Sequence, residues 1–306
     1  MDEKKRKDLP AQKLQPGLWV VATPIGNLMD LSERGCFALK SADAILCEDT
    51  RRTSKLLAVL EITASLYRFD EHATAIQLEK AIERLQAGES LALVSDAGTP
   101  GISDPGAKLV AAAHLARVRV TPIPGASAVV ALLSVAGFED TAFTFRGFFP
   151  RKAAEKRKEF EQLRKALPVS KVFVWYESPE RMRETLEFIS ESEPALRVIA
   201  AKELSKIHER LFVGDAISVR DQVKEELISE GNLGEWCLAV QFHGGTRAEI
   251  AERSGREAHS SDWVKTLQCL LNARVSASDA AREVSQSFGV AKKSVYECAL
   301  KLSGKK

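Results

Sequence analysis

The stretch Ser95–Gly106 reads S-D-A-G-T-P-G-I-S-D-P-G and begins where the apolar run Leu91–Ser95 ends. Its three glycines and two prolines predict a rigid loop whose backbone can come close to a ligand. Open parallel sheets bind ligands at the carboxyl ends of their strands, so the run and the loop together predict an α/β sheet with a binding edge. A purely structural crossover loop is the alternative interpretation.

Short apolar, β-rich runs alternate with amphipathic stretches through the first part of the chain. One such stretch, Ala75–Ala87, has the apolar spacing of a helix and stops at Gly88. This alternation predicts a mostly parallel sheet that is covered by helices. We expect its strands at Leu18–Thr23, Ala44–Cys47, Leu91–Ser95 and Val118–Ile123.

A second α/β block begins after residue 123. Small and aliphatic residues predict a helix over Ser127–Ala136, and the later strands follow one another with less helix between them. We therefore expect a mixed, partly antiparallel second sheet. The chain thus divides into an N-terminal α/β domain, residues 18–123, and a C-terminal α/β domain, residues 124–242. The strands of the second sheet are expected at Ala142–Phe148, Val172–Tyr176, Val198–Ala201, Glu209–Val213 and Trp236–Phe242.

The two ends of the chain differ in composition from its middle. Residues 1–17 are interpreted as a disordered tail, and residues 243–261, rich in Gly, Ser and charge, as a linker. Residues 262–306 contain three helical patterns, with a Gly-containing turn between the last two that is typical of a helix-turn-helix. From Trp263 onward eight Lys or Arg outnumber three acids, a net charge of +5, whereas the whole chain carries only +2. We expect these helices at Asp262–Leu271, Ser278–Ser287 and Lys292–Leu302.

Composition excludes several classes of protein. The five cysteines show no C-x-x-C pair, so neither a zinc site nor a disulfide framework is indicated, and the thiols are interpreted as inert in a reducing compartment. The opening MDEKKRKDLPAQKLQPG lacks the apolar core of a signal peptide, and no run of 18 apolar residues occurs. We therefore expect a cytoplasmic protein without a membrane partner.

Two further loops are expected at the same edge of the first sheet. Thr23–Leu28 leaves the first strand, and Ile123–Ala128 runs into a helix, whose free backbone N–H groups suit a carboxylate or another anion. A plain turn and a simple helix cap are the respective alternatives. None of these loops is a G-x-G-x-x-G fingerprint or a P-loop, so a common dinucleotide or nucleoside triphosphate site is not indicated.

Six ordered strings carry a resemblance to a known family. In this order and spacing they closely resemble the ribosomal small-subunit RNA methyltransferase I family, which belongs to the tetrapyrrole methylase superfamily. The resemblance covers Leu18 to about Gln241 and extends weakly to the C-terminal helices. The strings are VATPIGNL (21–28), CEDTRRT (47–53), LVSDAGTPGISDPG (93–106), IPGASA (123–128), YESPERM (176–182) and KELSKIHE (202–209).

The resemblance implies a cofactor and a reaction. Members of this family hold S-adenosylmethionine in a cleft between two α/β domains, usually in a homodimer, and methylate the ribose 2′-hydroxyl of a cytidine in the decoding region of small-subunit (16S) ribosomal RNA. Carried onto this sequence, the resemblance assigns nine residues to the cofactor pocket: Pro24, Asp96, Gly98, Thr99, Ser103, Ala126, Ser127, Ala128 and Tyr176.

Methyl transfer to an alcohol is an in-line displacement in which a base or a charged group assists a weak nucleophile. The charged residues of three strings are the candidates for this role. Each has a structural alternative, an ion pair or a helix cap, such as Asp49 or Thr50 at the start of the next helix. The candidates are Glu48, Asp49, Glu177, Glu203 and Lys206, with His208 and Glu209 beside them.

Basic residues beside these strings are candidates for contacts with RNA phosphates, and solvated surface charge is the alternative. The C-terminal helices either grip RNA or form a dimer or stability element. The RNA-binding candidates are Arg51, Arg52, Arg151, Lys152, Arg181, Lys292 and Lys293.

This chain departs from the family pattern at two positions. Lys202 replaces an Arg, which removes a bidentate donor and puts a specific role there in doubt. Glu180 replaces a His, which argues against a required imidazole.

Three functions are weighed. The leading hypothesis is an rRNA ribose methyltransferase acting on the assembled small subunit, favoured by the strings E-D-T-R and Y-E-S-P-E-R and by the basic C-terminal segment. A methylase of a small tetrapyrrole, such as a precorrin, is the alternative enzyme, because one fold serves many substrates. A non-catalytic RNA-binding module is the third.

Overall fold

The computed structural model describes residues 14–103, 106–242, 266–272, 275–288 and 292–302. These residues form two compact units. The first comprises residues 14–192 and 197–241, and the second comprises residues 193–196 together with the described residues from 242 onward. Within the part of the chain that is described, no helix has the length and apolarity needed to span a membrane.

The first unit contains two sheets, and its first sheet is wholly parallel. Its strand order is β3-β2-β4-β1-β5. The central strand β4 is buried on both faces, as expected for a parallel strand that lies between helices. The strands are β1 (Gly17–Val21), β2 (Ala44–Cys47), β3 (Leu66–Arg68), β4 (Ser90–Val94) and β5 (Val120–Ile123).

Four helices cover this sheet and form an apolar core on each of its faces, and a short 3₁₀ turn without buried residues precedes the first of them. A Thr74–Gln77 capping box starts α3, and Gly88, with φ of 92°, follows its end as the sequence predicts. The elements are the 3₁₀ turn Leu28–Asp30, α1 (Glu33–Ser41), α2 (Thr50–Val59), α3 (Ala75–Gln86) and α4 (Ala107–Leu115).

The second sheet is mixed, which confirms the prediction. Its order is β6-β7-β10-β8-β9, with β6 and β7 parallel and the other pairs antiparallel. Its strands are β6 (Phe143–Phe148), β7 (Val172–Glu177), β8 (Arg197–Lys202), β9 (Arg210–Asp215) and β10 (Trp236–Gln241).

Helices lie on both faces of the second sheet. On one face α5 packs Val129 and Leu132 against alternate residues of β7, β8 and β10. On the other face an aromatic cluster includes Phe149, Phe160 and Trp175. The helices are α5 (Ala128–Val135), α6 (Ala153–Ala166), α7 (Pro179–Ser192) and α8 (Ala216–Glu230). We call residues 14–123 the N-lobe and residues 124–241 the C-lobe.

The second unit contains the C-terminal helices α9 (266–272), α10 (Ala277–Phe288) and α11 (Lys292–Leu302). Its own apolar core includes Leu267, Val284 and Val295. The predicted turn at residues 288–290 lies outside the described residues beyond Phe288, as do the predicted linker 243–261 and the start of the first predicted helix, 262–265. The proposed division into domains stays a prediction.

Two expectations need correction. The end of the expected disordered tail is ordered: Leu14 is only 4% exposed and packs in the N-lobe core, and β1 already begins at Gly17. An apolar side chain beside a sheet gains from burial, which anchors this end of the segment. Residues 1–13 lie outside the described residues. Strand β3 was not predicted, because its three residues are largely exposed and lack an apolar run.

Candidate cofactor and active site

A cavity of about 360 Å³ lies where the N-lobe and the C-lobe meet. This volume is within the range of small-ligand pockets. Its N-lobe wall comes from the loops after β1 and β4, and its C-lobe wall from the start of α5, the ends of β6 to β8 and the start of β10. The lining residues are Ile25, Ala97, Gly98, Thr99, Ile102, Ser127, Ala128, Phe148, Tyr176, Glu177, Ser178, Pro179, Ala201, Leu204, Gly234, Glu235, Trp236 and Cys237.

Hydrogen bonds join the three predicted loops directly. The backbones of Thr23 and Gly98 exchange two bonds, with N–O distances of 2.8 and 3.0 Å. The Thr99 hydroxyl donates to the carbonyl of Ala126 at 3.1 Å, which links the loop after β4 to the loop between β5 and α5. The three loops therefore converge at one edge of the first sheet, as the sequence predicts.

Glycine is needed at two places in this junction. Gly98 has φ of 80°, a conformation that residues with a Cβ adopt at a cost. At Gly125 an added Cβ would lie 2.8 Å from the Cβ of Ala22. The loop between β5 and α5 can therefore approach the end of β1 only because residue 125 has no side chain. These positions explain why the loops are rich in glycine.

The start of α5 faces the cavity with Ser127 and Ala128. Ser127 occupies the N-cap position, but its side chain makes no capping hydrogen bond. The first N–H groups of a helix have no partner within the helix, and together with the helix dipole they favour an anion. The cavity thus has one end suited to a carboxylate.

The structure places the nine predicted cofactor residues in three groups. Five of them line the cavity: Gly98, Thr99, Ser127, Ala128 and Tyr176. Ala126 lines an adjoining groove of about 940 Å³, which shares Thr99 and Ser127 with the cavity. Pro24, Asp96 and Ser103 belong to the same loops but are not among the described lining residues of either space.

Asp96 organises the loop ends. It accepts a hydrogen bond from the backbone N–H of Asp49 at 3.2 Å and pairs with Arg52 at 3.3 Å. These bonds connect the loop after β4 to the start of α2. The contacts of Asp96 therefore support a structural function in the loop.

Glu48 follows β2 and is half-buried. Burial, and then the neighbouring Asp96 carboxylate, raise the pKa of Glu48 above its usual value. A carboxylate with a raised pKa is better matched to proton transfer near neutral pH.

Asp49, the next residue, has a different environment. Its carboxylate accepts from the backbone N–H and the guanidinium of Arg51, which lowers the pKa of Asp49 well below its usual range. It caps α2, as the structural alternative predicts.

Glu177 ends β7 and its side chain is fully buried. Its two oxygens accept from the Ser178 N–H at 2.8 Å and the Thr185 hydroxyl at 2.6 Å, and the carboxylate also pairs with Arg181. Burial raises the pKa of Glu177, although these hydrogen bonds oppose that rise. With both oxygens engaged, Glu177 fixes the start of α7 beside the cavity.

Glu203 and Lys206 form a compact ion pair beyond β8. Lys206 Nζ donates to Glu203 Oε1 at 2.8 Å and to Glu235 Oε2 at 3.0 Å. Burial acts to raise the pKa of Glu203, but the bond to Lys206 lowers it below its usual value. Burial acts to lower the pKa of Lys206, but the bonds to the two carboxylates raise it above its usual value. The Lys206 stem lies so close to Gly26 that a Cβ added there would overlap it, and this contact joins the two lobes.

The basic candidates are mostly exposed. Arg51 pairs with Asp49, and Arg52 pairs with Asp96. The Nζ atom of Lys152 lies 3.5 Å from Oε1 of Glu155. Arg151 is exposed. Lys292 is exposed on α11, and the side chain of Lys293 lies outside the described residues.

Arg181 has a different environment. Its guanidinium donates to the Phe149 carbonyl at 3.1 Å and pairs with the buried Glu177. These contacts favour a structural function over a phosphate contact. Lys202, where this chain departs from the family pattern, is also buried, and its ammonium group pairs with Glu226 on α8 at 2.8 Å.

Sequence reasoning missed several lining residues, among them Phe148, Glu235 and Trp236. The dipeptide Gly147-Phe148 near a strand end offered a weak signal for the first. The other two are distant in sequence from every quoted string, so only tertiary structure brings them to the cavity.

The comparisons with known proteins agree with this geometry. The sequence profile of the Tetrapyrrole (Corrin/Porphyrin) Methylases matches residues 17–219, and that of the RsmI C-terminal HTH domain matches residues 257–303. Among solved structures, a diphthine synthase has a TM-score of 0.54 at 16% identity, covering 73% of this chain and 89% of its own. The methyltransferase CobJ has a TM-score of 0.52 at 18% identity, covering 75% and 97%. Fold and site together define an α/β methylase of the tetrapyrrole methylase class.

Curated relatives are more specific. Two of them are named ribosomal RNA small subunit methyltransferase I. The protein from Xylella fastidiosa is 38% identical to this chain, and the match covers 92% of this chain and 98% of the relative. The protein from Bacillus subtilis is 35% identical, and the match covers 92% of each chain. The relative in Escherichia coli O157:H7 is 34% identical over 96% of this chain and 98% of its own length. The chain belongs to the ribosomal RNA small subunit methyltransferase I family. As a member it is an enzyme, a methyltransferase that uses S-adenosylmethionine, which confirms the predicted class and cofactor.

Proposed function

We propose that this enzyme methylates the ribose 2′-hydroxyl of a cytidine in small-subunit (16S) ribosomal RNA. The observation that carries the proposal is the convergence of the three glycine-containing loops on a cavity between two lobes, in a chain that matches rRNA methyltransferases over more than nine tenths of its length. The basic C-terminal segment, with eight Lys or Arg against three acids from Trp263 onward, has a charge suited to a polyanion.

The cavity suits S-adenosylmethionine in size and in chemistry. Small residues such as Gly98 and Ala128 leave room for the ligand, and Tyr176 offers an aromatic side chain. The start of α5 with Ser127 matches the carboxylate of the methionine moiety. When bound, the cofactor supplies an electrophilic methyl group on a sulfonium. The protein then has to align the ribose hydroxyl and exclude water.

Among the five catalytic candidates, Glu48 has the properties of a general base. It stands at the same sheet edge as the binding loops, is half-exposed, and has a raised pKa. Glu177 is engaged at both oxygens, Asp49 caps α2, and Glu203 is bound to Lys206. We therefore propose that Glu48 accepts the proton of the 2′-hydroxyl, and that Glu203 and Lys206 hold the C-lobe wall.

We further propose a cytoplasmic homodimer that acts on the assembled small subunit. Exposed apolar side chains around the 940 Å³ groove, including Val130, Val135 and Phe143, supply a surface for a second copy. Arg51, Arg52, Arg151, Lys152, Lys292 and Lys293 remain proposed RNA contacts, and Pro24, Asp96 and Ser103 proposed supports of the cofactor loops.

The test uses the purified chain, labelled S-adenosylmethionine and small subunits from a strain that lacks the corresponding methyltransferase. We expect label on one ribose in the rRNA. Label on a base, or no label in the rRNA while a precorrin-type tetrapyrrole is methylated, would contradict the proposal. A protein that is not stabilised thermally by S-adenosylmethionine would favour a non-catalytic module.

A further inference from the structure

Strand β6 contains a β-bulge directly before Phe148. Phe145 pairs with Val174 of β7, and Phe148 pairs with Tyr176, so three steps on β6 match two on β7. Gly147, within this irregularity, has φ of 72°. A bulge of this kind often changes the direction of a side chain beside an active site.

The bulge determines which face of the sheet Phe148 occupies. Residues 145 and 148 would point to opposite faces of a regular strand, because side chains alternate. Instead both rings contact Tyr176, with centroid distances of 4.9 Å for Phe145 and 5.8 Å for Phe148. Arg146 pairs with Glu159 on α6. The extra residue therefore turns Phe148 toward the cavity.

Phe148 remains exposed in this position. It lines the cavity, yet 60% of its surface is accessible, whereas the adjacent Phe149 is buried against Trp175. Tyr176 meets Phe148 edge-on, at an interplanar angle of 67°. Ile102 of the long loop, 44% exposed, also lines the cavity. An aromatic ring is thus held at the cavity with much of its surface free.

We propose that Phe148 is a stacking platform for the base of the nucleotide whose ribose is methylated. This inference rests on the proposed function. Aromatic side chains stack on unpaired bases in single-stranded RNA, and a ring without hydrogen-bonding groups positions a base without reading its identity. Stacking would hold the nucleotide at the cavity mouth while its hydroxyl meets the methyl group.

The test compares F148L and F148W with the wild type on small subunits. Loss of a base–aromatic stack predicts that F148L lowers kcat/KM for the RNA about 5- to 100-fold, mainly through KM. We expect F148W to retain activity within a few-fold. Because Phe148 also lines the cofactor cavity, the loss in kcat/KM for the RNA in F148L should clearly exceed any change in the Kd for S-adenosylmethionine. F37L, which alters an exposed Phe of α1, is the matched control and should behave as wild type.

Two results for F148L would contradict the stacking function of Phe148. Equal weakening of S-adenosylmethionine binding by F148L would assign the ring to the cofactor, and unchanged kinetics in F148L would remove it from the site. A matching thermal unfolding midpoint for F148L and wild type excludes misfolding as the cause. If the wild type itself does not label rRNA, the proposed function fails and this inference fails with it, whereas a defect confined to F148L with a normal wild type supports both.

Discussion

Thr23 and Gly98, 75 residues apart, exchange two backbone hydrogen bonds between the loops after β1 and β4. The bridge requires the positive φ of Gly98. It also places Thr99 within hydrogen-bonding distance of Ala126, in the loop between β5 and α5. The cavity between the two lobes is built on this contact between loops that follow adjacent parallel strands.

Gly98→Ala tests that bridge. A Cβ in this conformation costs about 1–2 kcal/mol, and it would lie 3.4 Å from Ile25 Cγ2 and 3.7 Å from the Ala126 carbonyl. We expect weaker S-adenosylmethionine binding by calorimetry. Gly88→Ala is the control, because it adds the same strain at φ of 92° with nothing within 4 Å. Equal affinities in both variants would contradict the assigned function of the loop.

Glu48→Gln tests the proposed base. We expect kcat/KM to fall about 100- to 10,000-fold. In the wild type, activity should rise with pH as Glu48 loses its proton, and the acid limb should lie above that of an ordinary glutamate because burial and Asp96 raise the pKa of Glu48. The limb should vanish in the variant. Glu79→Gln, an exposed change on α3, controls for lost charge. Retained activity with an unchanged pH profile would exclude Glu48.

Glu177→Ala separates structure from catalysis. It removes the partner of Arg181 and of the Thr185 hydroxyl in a buried setting, which predicts a loss of about 3–5 kcal/mol in the free energy of unfolding. Glu187→Ala breaks the exposed pair with Arg183 on the same helix and should cost below about 1 kcal/mol. Urea denaturation measures both. Normal stability combined with lost methyl transfer would return Glu177 to the catalytic candidates.

Val130→Glu tests the proposed dimer. Val130 is 58% exposed on α5 and lines the larger groove, so a buried charge there would oppose association. Analytical ultracentrifugation should show a monomer for this variant and a dimer for Val59→Glu, a control of similar exposure on α2. A monomeric wild type, or a dimeric Val130→Glu variant, would reject this surface.

The sequence by itself determined the local elements and the sheet edge. Ala44–Cys47 was predicted with its observed bounds, since a fully apolar run between polar segments has little alternative to a buried strand. The parallel α/β pattern also required the loops after β1, β4 and β5 to face one side, so the N-lobe wall of the cavity and the start of α5 followed from loop position alone.

Only the tertiary structure decided how individual side chains are used. Glu48, Asp49 and Glu177 are all carboxylates beside strand ends, and their different environments arise from partners that are distant in the fold or fixed by local geometry. The direction of Phe148 depends on a pairing register between β6 and β7, which no single strand encodes. Periodicity reports which faces are buried, whereas these pKa values and side-chain directions depend on specific partners, such as Asp96 for Glu48 and β7 for Phe148, that folding within each lobe brings together.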